Sequence, residues 1–199
     1  MKTFIFVFIC FLLFSVKVFA QVDPTSTETA TPILSLSPVS SVSSSAKEVN
    51  YFLPYPGLLP DSPLYFLKAF RDRFIGFMIS NTEKKAEFNL LQADKRLNAS
   101  VYLLKEGTGK DQLIISTLSK GENYFEEAIA AANEAKTQGM DTTNISRKLQ
   151  MAVLKHEEVV GSLATQVSKK DKGGILQVYH RLQGFEKDVS SINASSKNK

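Results

Sequence analysis

Cysteine is almost missing from this 199-residue chain: the one example, Cys10, lies in an apolar run near the start. If that run is removed as a leader, the rest of the chain has no thiol. Disulfides, thiolate nucleophiles and sulfur-ligated metals are then excluded. Histidine is nearly as scarce, with two residues, His156 and His180. A helix-bundle carboxylate metal site needs Glu-x-x-His pairs from two helices. Val153 stands three before His156 and Gln177 three before His180, so the pattern fails twice. His156 therefore reads as a satisfied, partly buried imidazole on an apolar stripe, and His180 as a residue on a solvated face. Proline is absent after Pro63 and no alternating strand pattern occurs. Without a strand there is no phosphate loop of the strand–loop–helix kind and no nucleophile elbow. Gly107-Thr108-Gly109-Lys110 lacks the spacing of a phosphate loop and reads as a connector. These absences lead to an expectation of no enzymatic activity, no cofactor and no metal.

Charge of one sign is also lacking. The whole chain carries 24 basic and 20 acidic residues, a net of +4. Lys2 and Lys17 belong to the leader, so 24 − 2 = 22 basic residues remain against 20 acidic ones, a net of +2. Nucleic acid, which calls for a clustered basic face, is not expected as a partner.

What is present falls into consecutive segments. Lys2, the apolar run Phe4 to Val16, and Val18-Phe19-Ala20 have the layout of a secretory signal peptide cut after Ala20. A bilayer span needs about 20 apolar residues, so the run is short for an anchor, and an uncleaved anchor is the alternative. Residues 21–48 are mainly Ser, Thr, Pro, Val and Ala with little charge, and predict a disordered spacer that cannot offset the entropy of ordering. Its hydroxyls are possible glycan sites. Asn98-Ala99-Ser100, Asn144-Ile145-Ser146 and Asn193-Ala194-Ser195 match the glycosylation triplet, which is common by chance.

The helical domain is expected over residues 49–194, with a frayed tail at 195–199. It opens with a proline- and aromatic-rich strap, Tyr51 to Pro60, in which three prolines enforce extended backbone and a turn is expected near Pro56-Gly57. Asp61 or Ser62 is the expected N-cap of a first helix, with Pro63 in its first turn. Tyr55, Pro56, Leu58, Leu59, Pro60, Asp61, Ser62, Pro63, Leu64, Tyr65 and Leu67 form the candidate structural or docking motif. The strap is expected to lie against the helices, between the first and the second.

Five helical segments follow from the apolar spacing. The first covers about Pro63 to Ile79, with Leu64, Leu67, Phe70, Phe74 and Phe77 at helical spacing. With Lys68, Arg71 and Arg73 beside them, these fit either a helix packed on a bundle or an interfacial membrane helix. The second opens at Asn81, or at a Ser80/Glu83 capping box, and ends at Gly107; its stripe is Ala86, Leu90, Ala93, Leu97, Val101 and Leu104. The third runs from Asp111 to Thr137, with Ile114, Leu118, Phe125, Ile129 and Ala132 on one face. The fourth is capped by Asp141 or Thr143 and carries Ile145, Leu149, Ala152, His156, Val159, Leu163 and Val167. The fifth carries Ile175, Val178, Leu182, Phe185, Val189 and Ile192 as a heptad seam. Long amphipathic helices with short loops predict an all-α antiparallel bundle of about five helices, and about 145 residues suffice for one core.

Pro56-Gly57-Leu58-Leu59-Pro60-Asp61-Ser62-Pro63-Leu64-Tyr65-Phe66-Leu67-Lys68 resembles the opening of a bacterial family of unknown function, number 5667 among such domains. A second stretch, Asn81-Thr82-Glu83-Lys84-Lys85-Ala86-Glu87-Phe88 with Ala93-Asp94-Lys95-Arg96-Leu97, resembles that family's next signature, with Asn81 in place of an aspartate and Thr82 in place of a proline. The resemblance covers about residues 53–107. It implies an exported bacterial helical protein and carries no functional residue. The resulting expectation is an extracytoplasmic interaction or scaffolding domain of the cell envelope, with an unknown protein or envelope partner. The alternatives are a sensor or holdase, or a protein resting on a membrane surface.

Overall fold

A computed structural model describes residues 49–107 and 109–196. The leader and the spacer expected before residue 49, and the last three residues, lie outside that range. Five helices occur among the described residues: α1 (Tyr65–Met78), α2 (Thr82–Glu106), α3 (Asp111–Thr137), α4 (Thr143–Gln166) and α5 (Lys172–Ser196). They form an all-α bundle, with no strand among the described residues. α2 packs chiefly on α3 and α4 on α5, and the two pairs are joined through α3–α5 and α2–α4 contacts. α5 stays helical through Ser196, past the expected start of the tail.

Local chemistry sets the helix ends. Asn81 caps α2, its side chain accepting the Lys84 N–H at 2.9 Å. At the end of α3 the Met140 N–H donates to Ala135 C=O and the Gly139 N–H to Lys136 C=O, both Schellman bonds. Gly139 has φ +78°, a conformation that any side chain would strain. The Asp141 carboxylate takes the Thr143 N–H at 2.9 Å, which pulls its own pKa below the usual range, while Thr142 occupies the cap position of α4.

The expected cap of α1 is not formed. α1 begins at Tyr65 with Leu64 at the cap position and no side-chain cap. Pro60 to Leu64 form turns, closed by Ser62 N–H to Leu59 C=O and Tyr65 N–H to Ser62 C=O. Asp61 is engaged elsewhere: its carboxylate binds Lys110 Nζ at 2.7 Å, at the start of α3.

The core follows the apolar stripes closely in α3 and α5. All five expected residues of α3 and all six of the α5 seam are buried. Phe125 lies in the middle, stacked on Phe185 with ring centroids 5.4 Å apart. In α2 and α4 the stripe drifts. Val101, Leu104 and Val159 are only half-buried, and Ser100, Leu103 and Val160 are buried instead. A 3.6-residue helix rotates away from a fixed seam over this length.

Candidate functional site

The first feature is α1 itself. Its inward side, toward α2, is formed by Tyr65, Lys68, Ala69, Asp72, Gly76 and Ile79, and only Asp72 is buried. Phe66, Leu67, Phe70, Phe74, Ile75, Phe77 and Met78 are exposed, Phe70 by 72 % and Phe77 by 87 %. The apolar stripe, which fitted either packing on the bundle or an interface, therefore faces outward, while Tyr65, Lys68 and Asp72 face in together with small residues. Asp72 pairs with its neighbour Arg71 within α1 at 2.7 Å, and at the contact Arg96 of α2 donates to the Tyr65 hydroxyl. At Gly76 an added Cβ would come within 3.0 Å of the Phe88 ring, so the helices approach through a residue without a side chain.

The second feature is the segment before α1. Residues 49–60 have no regular secondary structure and cross α2. The Tyr51 hydroxyl donates to Asp94 Oδ2 at 2.7 Å, Asn98 Nδ2 donates to Pro54 C=O at 2.9 Å, and Tyr55 meets Tyr102 edge-on at 6.0 Å. Val49 N–H reaches Glu158 of α4 at 2.7 Å. Tyr51, Leu53 and Leu59 pack on the core, Pro56 is buried, and Gly57 turns the chain at φ +72°. Lys68 of α1 ties the end down by donating to Pro56 C=O at 2.6 Å and Leu58 C=O at 3.2 Å. Burial there draws the Lys68 pKa down. The segment thus lies over α2, touches α4 at its start, and only over Tyr55 to Leu58 meets both α1 and α2. Within the candidate motif Tyr55, Leu58, Asp61, Pro63, Leu64 and Leu67 are exposed, while Leu59, Pro60, Ser62 and Tyr65 are half-buried.

The third feature is a charged cluster inside the core. His156 is fully buried. Its Nε2 donates to Asp94 Oδ1 at 3.0 Å, and its Nδ1 lies 3.6 Å from Glu122 Oε1, an ion-pair separation. Burial opposes charge on the ring, but the two carboxylates outweigh it and hold its pKa at about 9. The same Asp94 accepts from Tyr51, whose pKa is pushed up by burial first and by the Asp94 charge second. The sequence reading of His156 as partly buried understated this. It also missed Asp94 and Glu122, whose signal was there: each is an acid placed on an apolar stripe. The two carboxylates face opposite ring nitrogens and cannot share one ion with the ring. Among the described residues no group of three His, Cys, Asp or Glu is placed to hold a metal. His180 is exposed, with Nδ1 3.3 Å from Gln183 Oε1.

The fourth feature is a cleft of about 500 Å³ between α1, α2 and α3, bordered by Arg73, Lys85, Arg96, Lys120, Asn89 and Phe77.

A family model, Domain of unknown function (DUF5667), matches residues 57–170, more than half of the chain. The chain belongs to this family. The DUF5667 match begins at the turn at Gly57 and takes in α1 to α4; α5 lies beyond it. α1, the His156 cluster's Asp94, Glu122 and His156, and the cleft fall inside the family region, whereas the segment before α1 lies mostly ahead of it. A search of curated proteins finds no match, and a search of solved structures finds none.

Proposed function

We propose that this DUF5667 protein is an exported, non-enzymatic helical module of the cell envelope that rests on a membrane surface through α1. One observation carries the reading: a 14-residue helix presents its phenylalanines to solvent and only Tyr65, Lys68, Asp72 and small residues to its own bundle. Removing a large apolar side chain from water gains about 1.5–3 kcal/mol, so such a face is costly unless something covers it. Lys68, Arg71 and Arg73 give the helix basic residues beside its phenylalanines, the composition of an interfacial helix. No helix among the described residues is long and apolar enough to cross a membrane, and surface contact does not require one. The leader-like start supports export. The non-enzymatic reading is supported by His156, sealed in the core away from any substrate.

The test is co-sedimentation of the purified domain with vesicles of mixed phosphatidylglycerol and phosphatidylcholine. The wild type is expected to pellet with lipid. Phe70→Asp/Phe74→Asp, two exposed positions, is expected to stay in the supernatant with an unchanged melting temperature. A wild type that remains in the supernatant removes the membrane reading. Suppression of aggregation of an unfolded client by the same face would then favour a holdase.

A further inference from the structure

We propose that the cleft between α1, α2 and α3 binds a phosphate group. Four basic side chains from three helices border it: Arg73, Lys85, Arg96 and Lys120. Two acidic residues, Asp72 and Glu127, also border it, leaving a net of +2. Asp72 is already paired, with Arg71 outside the cleft. None of the four bordering cations has a carboxylate within 4.0 Å among the described residues, whereas Lys84, Lys110, Lys148, Lys155 and Arg181 each have one. Unpaired cations gathered at one concavity repel each other, and an anion bound among them relieves that repulsion.

Arg96 is the most constrained of the four. Its guanidinium sits 5.7 Å from the Tyr65 ring centroid and 5.3 Å from that of Tyr124, and Nη1 donates to the Tyr65 hydroxyl. Cation–π contact with two rings and a bond to a hydroxyl hold the fork in place, an arrangement suited to a multi-oxygen anion. Two buried donors on residues that border the cleft lack partners among the described residues: Arg96 Nε and Asn89 Nδ2. Asn89 is 4 % exposed and borders the cleft. Donors left without an acceptor at the wall of a cation-lined cleft favour the entry of an oxyanion beside them. The net charge of the walls matches a dianionic phosphate monoester. Phe77 and Phe88 provide an apolar edge, which admits a free phosphate and one carried on an apolar body such as a lipid.

The experiment uses the full domain and two kinds of probe. Inorganic phosphate and glycerol phosphate are titrated by calorimetry, and vesicles of phosphatidic acid are compared with phosphatidylcholine. Lys85 and Lys120 are exposed, so Lys85→Gln and Lys120→Gln leave the fold intact. Saturable binding of the soluble probes, weakened about tenfold by either substitution, assigns the site to a soluble phosphate. Binding only to phosphatidic acid vesicles, lost on either substitution, assigns it to a lipid headgroup. Soluble-phosphate binding that survives Phe70→Asp/Phe74→Asp separates this site from the docking of α1. No binding in either arm, or binding indifferent to both lysine substitutions, overturns the proposal.

Discussion

At the scale of single residues, the most consequential side chain is one that touches no solvent. His156 joins three helices: its ring is on α4, and its carboxylates come from Asp94 on α2 and Glu122 on α3. Held charged up to about pH 9 instead of 6.5, the ring contributes on the order of 3 kcal/mol. Because the folded pKa is the higher one, that contribution is complete below about pH 6.5 and is lost as pH rises toward 9. Urea denaturation between pH 6 and 10 should therefore show a midpoint that falls across this window. A midpoint that is level or rising there would mean that the ring is neutral in the fold. The sequence reading placed His156 on an apolar stripe and passed over Asp94 and Glu122. It did not show that they meet, because the partners are 62 and 34 positions away and register between helices is set by packing.

At the scale of elements, the segment before α1 and α1 itself contrast. The segment covers α2 through the Tyr51 and Pro54 hydrogen bonds and the partly buried Leu53 and Leu59, and is tied to α1 by Lys68. A protein beginning at Asp61 should melt several degrees lower than one beginning at Lys47, and Tyr51→Phe should lose about 1 kcal/mol. Equal melting of the two truncations would show that these contacts stabilise nothing. α1, in contrast, buries little. Its spacing showed which residues share a face but not what covers that face, since an amphipathic pattern fits a core and an interface equally. The α5 seam was fully legible, because a heptad repeat has one way to be buried. The cap of α1 was not, because Lys110, 49 positions away, takes the Asp61 carboxylate.

At the scale of the whole molecule, the division of labour is between a sealed four-helix core and one helix turned outward. α5, beyond the family match, closes the core with Phe185 and five aliphatic residues of the seam, which leaves α1 free of a packing role. In the reading proposed above, a membrane surface covers α1. The chain contains no tryptophan, so a single Phe74→Trp substitution reports from the exposed face without background. On addition of anionic vesicles its emission should shift to the blue and be quenched by lipids brominated on their acyl chains. Emission that stays at its solvent-exposed position at saturating lipid, with no quenching, would contradict the account.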